Sequence, residues 1–382
     1  MLLIENGTLY TMESDVPVHG DLLIKDGKIA KIAPRIQPEP GMARLDASEL
    51  RVYPGFIDAH SHIGLAEEQT TSQTDTSNEG TGPVTPYVRS VDGIHPMDSA
   101  FHNALAAGIT GVMVGPGSAN PIGGQFAFVK TYGRRVDDMV VLAPAAIKVA
   151  FGENPMTTYG ANGKLPATRM GIAAVIRQEL YRAKQYLENP DAPKDWQLEC
   201  YRPLFAGEIP LKAHVHRTDD ILTAIRIARE FGLGLTLDHC TEGHLISREI
   251  AESGFPAIVG PSLASRTKDE VACSDFKTPG ILHKAGVPVA LTTDHPVSRI
   301  QYLPLCAALA AKEGWTGEAA LRAITIDAAK ICRVDRRVGS LAVGKDADLV
   351  LFDGNPLKIE SSALVTIING QIVWQKESHG KL

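Results

Sequence analysis

The chain has 382 residues, of which 44% are hydrophobic and 21% charged, a composition that suits one large globular domain with a smaller one. Acidic residues outnumber basic ones by 44 to 38, for a net charge of −6. The sequence has no basic stripe, so we do not expect nucleic acid as a partner. The sequence contains no apolar run of about 18 residues, so we predict no membrane span. The N-terminus lacks a signal-peptide pattern, so we expect a cytoplasmic protein. Its expected partners are a small-molecule substrate and, in a homo-oligomer, further copies of the chain.

Both ends of the chain show short strand patterns joined by tight turns. Near the N-terminus, Asn-Gly and Asp-Gly pairs interrupt the apolar residues of LLIENGTLYTM and GDLLIKDGKIAKIAP, and such pairs are strong hairpin signals. The C-terminal segments DADLVLFDGNP and LVTIINGQIVW repeat this texture. We therefore predict one small β domain built from residues 1–53 and 336–382.

Between the two ends, strand patterns alternate with helix patterns. The predicted strands include GITGVMVG, PAAIKVAF, IPLKAHVH, LGLTLDHC, FPAIVGPS and VPVALTTDH. One intervening helix is TDDILTAIRIAREFG, for which we expect a Thr or Asp cap at the start and a Gly at the end. Strand and helix in alternation imply parallel strands with crossover helices. The α/β pattern over residues 54–335 has the length of a (β/α)8 TIM-like barrel.

A doubly wound open sheet is the alternative fold, but its Gly-rich phosphate turn is missing. The run GPGSANPIGGQ follows a strand and does not match G-x-G-x-x-G. We interpret this run as a loop with a role beside a substrate. Residues 65–96 and 190–208 form two further polar loops, and long loops of this kind are often lids or binding loops.

The motif PGFIDAHSH places two histidines one residue apart at a predicted strand end. Successive side chains of a strand point to opposite faces, so His60 and His62 share one face. Two imidazoles placed in this way can hold one metal ion. Taken alone, the pair could equally be ordinary surface or capping histidines, so the rest of the chain has to decide.

Polar residues also follow the other predicted strands, at the barrel end where such folds keep their chemistry. The residues at these strand ends are His60, His62, Lys148, His214, His216, Asp238, His239, Asp294 and His295. Six of the chain's 12 histidines belong to this set. Each histidine alone is more simply explained as structural, but their joint placement on one rim indicates a metal centre.

The motifs VYPGFIDAHSHIG, LKAHVH, LDHC and TTDHP, followed by GSLAVGKDADLVLFDGNP, resemble the amidohydrolase superfamily, with the closest texture in its imidazolonepropionase-like members. The resemblance runs through most of the chain. It implies a (β/α)8 barrel flanked by a β-sandwich made from both termini. It also implies metal ligands, at His60, His62, His214, His239 and Asp294.

In the two-metal members of that superfamily, a carboxylated lysine on the fourth barrel strand bridges the ions, and Lys148 matches this position. A charged lysine is costly to bury in an apolar strand, and Lys148 could instead be a structural partner of Glu153. Glu153 could also replace it as the bridging carboxylate. A site with a single metal is the third alternative.

Imidazoles with one carboxylate suit Zn²⁺ best, with Mn²⁺, Fe²⁺, Co²⁺ or Ni²⁺ as alternatives. Such an ion lowers the pKa of bound water, so we expect hydrolysis of a C–N bond in an amide, cyclic amide, dipeptide or N-acyl amino acid. Asp294 is the expected general base and acid. His239, if it is not a ligand, would help to stabilise the developing oxyanion.

Two other functions stay open. Deaminating relatives use one metal and carry a glutamate a few residues after the strand-5 histidine, whereas here His216, Arg217 and Thr218 stand in that stretch. A catalytically inactive scaffold with the same fold would be expected to lack ligands, yet each expected ligand position is filled.

The sequence does not identify the substrate, but it offers candidate contacts. His216, Gln125 and Arg217 are the predicted substrate-binding residues, and Gly123 and Gly124 would let a substrate approach the backbone. Arginine binds carboxylates through two parallel hydrogen bonds.

Arg266 and Arg299 are therefore further candidates, although such arginines are more often surface salt-bridge partners. Asp238 and His295 are expected to orient neighbouring side chains. Cys240 is expected to be a small packed residue.

Overall fold

We describe the protein from a computed structural model, in which residues 1–68 and 75–377 are described. Residues 69–74 of the predicted loop 65–96, and residues 378–382 of the predicted C-terminal β segment, lie outside the described residues. No helix in the described ranges is long and apolar enough to cross a membrane. The cytoplasmic location stays a prediction.

The strands fall into two sheets of eight strands each. In chain order, the strands are β1 (Leu2–Leu9), β2 (Val18–Lys25), β3 (Lys28–Ala33), β4 (Ala43–Asp46), β5 (Arg51–Pro54), β6 (Phe56–Ser61), β7 (Ile109–Val114), β8 (Ile122–Lys130), β9 (Val140–Ala150), β10 (Leu211–Val215), β11 (Leu235–His239), β12 (Ala257–Val259), β13 (Val289–Leu291), β14 (Leu349–Phe352), β15 (Ala363–Ile368) and β16 (Gln371–Gln375).

The helices cover the outside of the second sheet. In chain order, they are α1 (Ser99–Ala106), α2 (Val136–Met139), α3 (Glu153–Gly160), α4 (Arg169–Glu188), α5 (Trp196–Glu199), α6 (Arg202–Phe205), α7 (Thr218–Phe231), α8 (Ser247–Ser253), α9 (Thr278–Lys284), α10 (Leu303–Lys312), α11 (Gly317–Arg322) and α12 (Ile326–Ile331). Short 3₁₀ turns occupy Ser90–Asp92, Gly243–Ile246, Asp269–Val271 and Ile300–Tyr302.

The first sheet joins both ends of the chain, as the turn pattern predicted. Its order is β16-β15-β14-β5-β1-β2-β3, with β4 paired to β1. The two ends meet where β5 pairs antiparallel with β14, and Val52 lies opposite Leu351. The apolar faces of these strands enclose a core of their own. A two-layer sandwich and the boundaries 1–53, 54–335 and 336–382 stay predictions.

The second sheet is a nearly closed TIM-like barrel, in the order β6 to β13. Strands such as β10 and β11 are buried along their whole length, as expected where helices cover the outer face. At the seam between β13 and β6, the Thr292 hydroxyl donates a hydrogen bond of 2.5 Å to the His60 carbonyl. One apolar core lies between the strands and the outer helices, and a smaller one lies at the barrel interior.

The expected all-parallel order is wrong at one strand. Residues from Ile122 onward, within the run interpreted as a loop, form β8, which is antiparallel to both β7 and β9. Gly124 makes this possible, because it has a φ of +127° and a side chain there would meet the Val88 carbonyl at 2.4 Å. The segment around Val88 pairs with β8 through isolated bridges, Val84 with Ile122 and Arg89 with Gln125, and Gln125 N–H donates to the Val88 carbonyl.

The start of α7 also differs from the prediction. Its cap residue is Arg217, whose side chain makes no capping hydrogen bond. The carboxylate of Glu242, from the loop after β11, instead accepts a hydrogen bond from the Thr218 N–H at 2.8 Å. The helix ends at Gly232 with a φ of 67°, as predicted. The cap was therefore supplied by a distant residue that a local pattern cannot reveal.

Candidate functional site

The carboxyl end of β6 carries the first two histidines of the site. The Nδ1 atom of His60 lies 2.7 Å from an Asp238 carboxylate oxygen, and Nδ1 of His62 lies 2.7 Å from the Gly115 carbonyl oxygen. Both oxygens can only accept, so each Nδ1 carries the ring proton. Each Nε2 therefore presents a lone pair to the barrel mouth, which is the form that binds metals.

Asp294 faces these two rings from the end of β13. Its Oδ1 lies 3.4 Å from Nε2 of His60 and 3.3 Å from Nε2 of His62. The residue has a φ of 52°, and its N–H donates to the Thr292 hydroxyl at 2.8 Å. A non-glycine residue in this left-handed conformation stores strain, which is a common feature of functional sites.

These three facing atoms fit a divalent ion. Two ring nitrogens with lone pairs and a carboxylate oxygen have no proton between them, so they repel one another unless a cation lies among them. Two ligands held at about 2.0–2.1 Å from Zn²⁺ in a tetrahedral arrangement lie about 3.3 Å apart. The separations of 3.3 and 3.4 Å in this site match that edge.

A second group of histidines lies at the ends of β10 and β11. The ring centroids of His214, His216 and His239 are 4.4 to 4.8 Å apart. Nδ1 of His239 lies 2.8 Å from the Gly260 carbonyl oxygen, and Nδ1 of His216 lies 2.7 Å from the Thr241 hydroxyl. The buried Nε2 atoms of His214 and His239 have no hydrogen-bond partner among the described residues. Buried polar atoms normally have a partner, so these two nitrogens are candidates for binding a metal ion.

His239 belongs to both groups of metal-competent side chains. The donor atoms of His214, His216 and His239 all lie within 4.8 Å of one another, and so do those of His60, His239 and Asp294. Four of the five predicted ligands therefore fall in these two groups, and His62 contacts Asp294 directly. His216, expected to contact substrate, belongs to one of these groups and also lines the cavity at the barrel mouth.

Burial favours the neutral form of His60 and of the imidazoles at the ends of β10 and β11. It lowers the pKa of His60 to about 3 and holds the pKa of His214 and His216 well below the usual range. Burial alone would raise the pKa of Asp294, but the neighbouring rings of His239, His60 and His62 together outweigh it and keep the carboxyl pKa well below its ordinary value. Neutral imidazoles and an ionised carboxylate are the forms that ligate a metal.

Lys148 lies inside the barrel on β9, beside these ligands. Its side chain is fully buried, and its Nζ lies 3.4 Å from Nε2 of His60 and 5.4 Å from the centre of the Phe126 ring. Its neighbours Ile147 and Val149 belong to the outer core against the helices. Lys148 forms no ion pair with any residue in the described ranges, and burial lowers its pKa to about 8.

Glu153, the alternative bridging residue, is engaged elsewhere. It begins α3, and its carboxylate accepts a hydrogen bond of 3.1 Å from the Glu270 N–H. The Glu270 carboxylate in turn accepts from the Glu153 N–H at 2.8 Å. This reciprocal pair ties α3 to the loop after β12, and neither group of metal-competent side chains contains Glu153.

Two predicted substrate contacts are not brought to the barrel mouth. The Gln125 side-chain amide donates to the Pro86 carbonyl at 3.1 Å, and the Arg217 guanidinium pairs with Asp219 at 3.1 Å. Neither residue lines the cavity above the ligands. The close backbone approach at Gly124 is made by Val88 of the same chain, not by a substrate.

A cavity of about 310 Å³ opens above the ligands. His62, His214, His216 and Asp294 form its floor, and Arg266 is among its other lining residues. A larger cavity of about 520 Å³ lies between α10 and the first sheet, which we call the terminal sheet because it joins both ends of the chain. No predicted site residue lines this cavity. The smaller cavity is the one lined by predicted site residues.

Sequence analysis missed a layer of buried polar residues beneath the ligands. Nζ of Lys212 lies 3.1 Å from the Asp238 carboxylate that orients His60, and it donates to the Ala59 carbonyl at 2.9 Å. The Asp58 carboxylate accepts from the Thr293 hydroxyl at 2.5 Å. The sequence did contain a pattern that indicates these residues. Asp58 lies two residues before His60, and Lys212 lies two residues before His214, so each shares a strand face with a histidine of the site.

A barrel with histidine and carboxylate ligands at its mouth defines the class of metal-dependent hydrolases with a TIM-like fold. The sequence profile of the Amidohydrolase family matches residues 51–373. The chain belongs to the amidohydrolase family, as its motifs predicted.

Comparison with individual proteins agrees. The chain is 40% identical to an amidohydrolase of Thermotoga maritima whose crystal structure superposes with a TM-score of 0.95, covering 98% of this chain and all (100%) of that one. It is 26% identical to the imidazolonepropionase of Mycolicibacterium smegmatis over 98% of each chain. It is 27% identical to Amidohydrolase tasK of Hapsidospora irregularis over 92% of this chain, which spans only 39% of that protein's length.

Proposed function

We propose that this amidohydrolase is a metal-dependent enzyme that hydrolyses a C–N bond of a small amide, with Asp294 as general base and acid. The observation that supports this most is the convergence of lone-pair nitrogens from His60 and His62 on the Asp294 carboxylate, at 3.3 to 3.4 Å. Similarity to imidazolonepropionases along the full chain also supports hydrolysis of this class of bond.

His60, His62, His214, His239 and Asp294 would hold the metal, and the neutral imidazoles with one carboxylate favour Zn²⁺. When bound, such an ion supplies a Lewis acid that acidifies water and polarises a carbonyl. The chain's own residues then move the proton. The Asp294 carboxylate faces the cavity, takes a proton from the attacking water, and delivers it to the leaving nitrogen.

We further propose that Lys148 is carboxylated and bridges two ions. Its amine is buried without a carboxylate partner, and its pKa of about 8 leaves a substantial neutral fraction near pH 8 that can react with carbon dioxide. Carboxylation would convert this amine into an anionic ligand beside His60. Glu153 is less suited to that role, because its carboxylate already accepts from Glu270.

The deaminase alternative gains no specific support from the site. The stretch after His214, where deaminating relatives carry a glutamate, holds Val215, His216, Arg217 and Thr218. An inactive scaffold would differ in one measurable property, because it would bind no metal. A small-molecule substrate, a cytoplasmic location and a homo-oligomeric state remain predictions of the sequence.

The test is metal analysis coupled to a hydrolysis screen of N-acyl amino acids, dipeptides, hydantoins and cyclic ureides. We expect up to two divalent ions per chain, and His60→Ala should lose metal and activity together. His102→Ala, at an exposed histidine on α1, is the matched control and should lose neither. Full activity of metal-free His60→Ala would refute the proposal.

A further inference from the structure

The loop after β12, residues 261–271, forms one wall of the cavity above the ligands. Ala264, Ser265, Arg266, Thr267 and Lys268 of this loop line the same cavity as His214 and Asp294. A group on this loop can therefore contact a substrate whose reacting bond lies at the floor.

Arg266 differs from the other arginines proposed as carboxylate contacts. Arg217 is paired with Asp219 at 3.1 Å and Arg299 with Glu68 at 3.4 Å, and neither lines the cavity. Arg266 lines it and forms no ion pair within residues 1–68 and 75–377. One Nη atom donates to the Ser274 carbonyl at 2.6 Å, which orients the guanidinium and leaves its other N–H donors available.

The other charges along the cavity do not neutralise Arg266. The carboxylate of Asp75 accepts from the Ser77 N–H at 2.9 Å and from the Ser77 hydroxyl at 2.6 Å. Asp294 belongs to the ligand group on the floor. Lys268 also lines the wall, but its Nζ lies 3.9 Å from the Glu270 carboxylate. The wall thus carries two cations: Lys268 has a carboxylate nearby, and Arg266 has none among the described residues.

Hydrogen bonds to the start of α3 hold the loop in place. Glu270 is fully buried, and its reciprocal hydrogen bonds with Glu153, of 2.8 and 3.1 Å, fasten the loop to the start of α3. The Lys268 ammonium donates to the Asn154 side chain on the same helix. Since α3 directly follows the strand that carries Lys148, the loop is anchored relative to the reaction centre, which lowers the entropy lost on binding.

We infer that Arg266 binds a carboxylate of the substrate, so that the substrates are amides carrying a free carboxylate, such as N-acyl amino acids, and not neutral cyclic ureides. The inference rests on the proposed function, because it assigns the group that accompanies the scissile amide. A planar guanidinium with free N–H donors matches a carboxylate through two parallel hydrogen bonds.

The experiment uses the full chain reconstituted with zinc and two sets of probes: N-acetyl amino acids and the corresponding neutral N-acetyl amino acid amides. Arg266→Met removes the cation and Arg266→Lys retains it without the fork. Arg248→Met is the matched control, since Arg248 is exposed on α8 and paired with Glu252 at 2.7 Å. Calorimetric binding of the same acids to Asp294→Asn protein, with and without Arg266→Met, gives a readout that does not depend on turnover.

We expect Arg266→Met to lower kcat/KM for the acids about 10- to 100-fold, mainly through KM, as loss of a hydrogen bond to a charged group does. The acids should bind more weakly by the same factor, while kcat/KM for the neutral amides changes by less than about 3-fold. Arg266→Lys should recover part of the loss, and Arg248→Met should match the wild type.

The inference is overturned by any of three results: Arg266→Met hydrolyses and binds the acids as well as the wild type does, its kcat/KM falls equally for acids and neutral amides, or the acids neither bind to the protein nor react. The proposed function can fail separately. If no amide is hydrolysed but acid binding still depends on Arg266, the carboxylate site stands and the hydrolase assignment falls.

Discussion

Two of the buried lysines of the barrel, Lys130 and Lys148, have opposite surroundings. Lys130, at the end of β8, has its ammonium 2.8 Å from Asp346 and 2.9 Å from Asp348, and Asn369 adds a third acceptor at 2.5 Å. Lys148, on the next strand, is equally buried and has no carboxylate partner among the described residues. Its polar neighbour is His60 at 3.4 Å.

The difference indicates what each lysine is for. A buried charge is tolerated when it is paired and hydrogen-bonded, which is the situation of Lys130 between the barrel and the terminal sheet. An unpaired buried amine destabilises a fold, so stability does not account for Lys148. A residue retained against stability at a strand end beside metal-competent side chains is better explained by chemistry.

Replacing Lys148 tests this contrast with the largest expected effect. Lys148→Ala should lower kcat/KM on the order of 10³-fold, the upper end for removal of one electrostatic group in an active site. It should retain one metal at most. A short carboxylic acid added to the assay should restore part of the rate, and reconstitution of the wild type should depend on bicarbonate. Two bound ions in Lys148→Ala would rule out the bridging role.

Stability should respond in the opposite sense in the two regions. Lys130→Met should lower the free energy of unfolding by about 3–5 kcal/mol, because Asp348 would be left buried without its cation and Asp346 would keep only Lys28 and Arg337. Lys148→Met in metal-free protein should be neutral or stabilising.

Urea denaturation measures both variants. Lys31→Met, at an exposed lysine of β3, is the control and should stay within about 0.5 kcal/mol of the wild type. Equal losses of stability in Lys130→Met and Lys148→Met would remove the distinction between the two lysines.

The paired region should also respond to acid. Burial alone would raise the pKa of Asp346, but hydrogen bonds from Lys130 and Lys28 outweigh it and lower the pKa from 3.8 to about 2. Asp346 therefore stabilises the fold above pH about 4, and that contribution disappears as the pH falls towards about 2.

Asp346→Asn should consequently be less stable than the wild type near neutral pH, with a gap that closes over this acidic range. The gap is measured by urea denaturation at a series of pH values, with the exposed Asp137→Asn as control. A gap that stays constant with pH would show that Asp346 acts through packing alone.

The smallest expected effect is that of Glu153→Ala, the rival of Lys148 for the bridging role. The variant loses an acceptor for the Glu270 N–H, which should destabilise the protein by about 1 kcal/mol. Both ions should be retained. Loss of both ions in Glu153→Ala, together with their retention in Lys148→Ala, would assign the bridge to the glutamate.

Much of the convergence of metal-competent side chains could be predicted because these residues follow the strand period. His60 and His62, then His214 and His216, lie two residues apart and share a face. Residues whose role depends on distant partners could not be predicted. Glu242 supplies the cap of α7 from 24 residues away, and this contact leaves no local pattern. The pairing of Arg217 with Asp219, two residues further on, is local and could have been considered from the sequence.

The same limit applies to β8. Its glycines and nearby Asn and Pro are ordinary loop signals, and they were interpreted as such. The strand forms through its ladders with β7 and β9, and Gly124 lets the Val88 backbone approach it closely. These are tertiary contacts that a local pattern does not show. Gln125 was proposed as a substrate contact from that loop interpretation, and its amide is instead bound to Pro86.

The antiparallel orientation of β8 has a consequence for how the barrel forms. The connections that join β8 to β7 and to β9 are short, residues 115–121 and 131–139. All other consecutive barrel strands are joined by longer crossover segments. Closing a short loop loses less chain entropy, so this three-stranded meander should form first during folding. Pulsed hydrogen exchange should find the amides of Phe126 and Phe128 protected before that of Ala213. The strand that departs from the barrel pattern would then be the nucleus on which the barrel assembles.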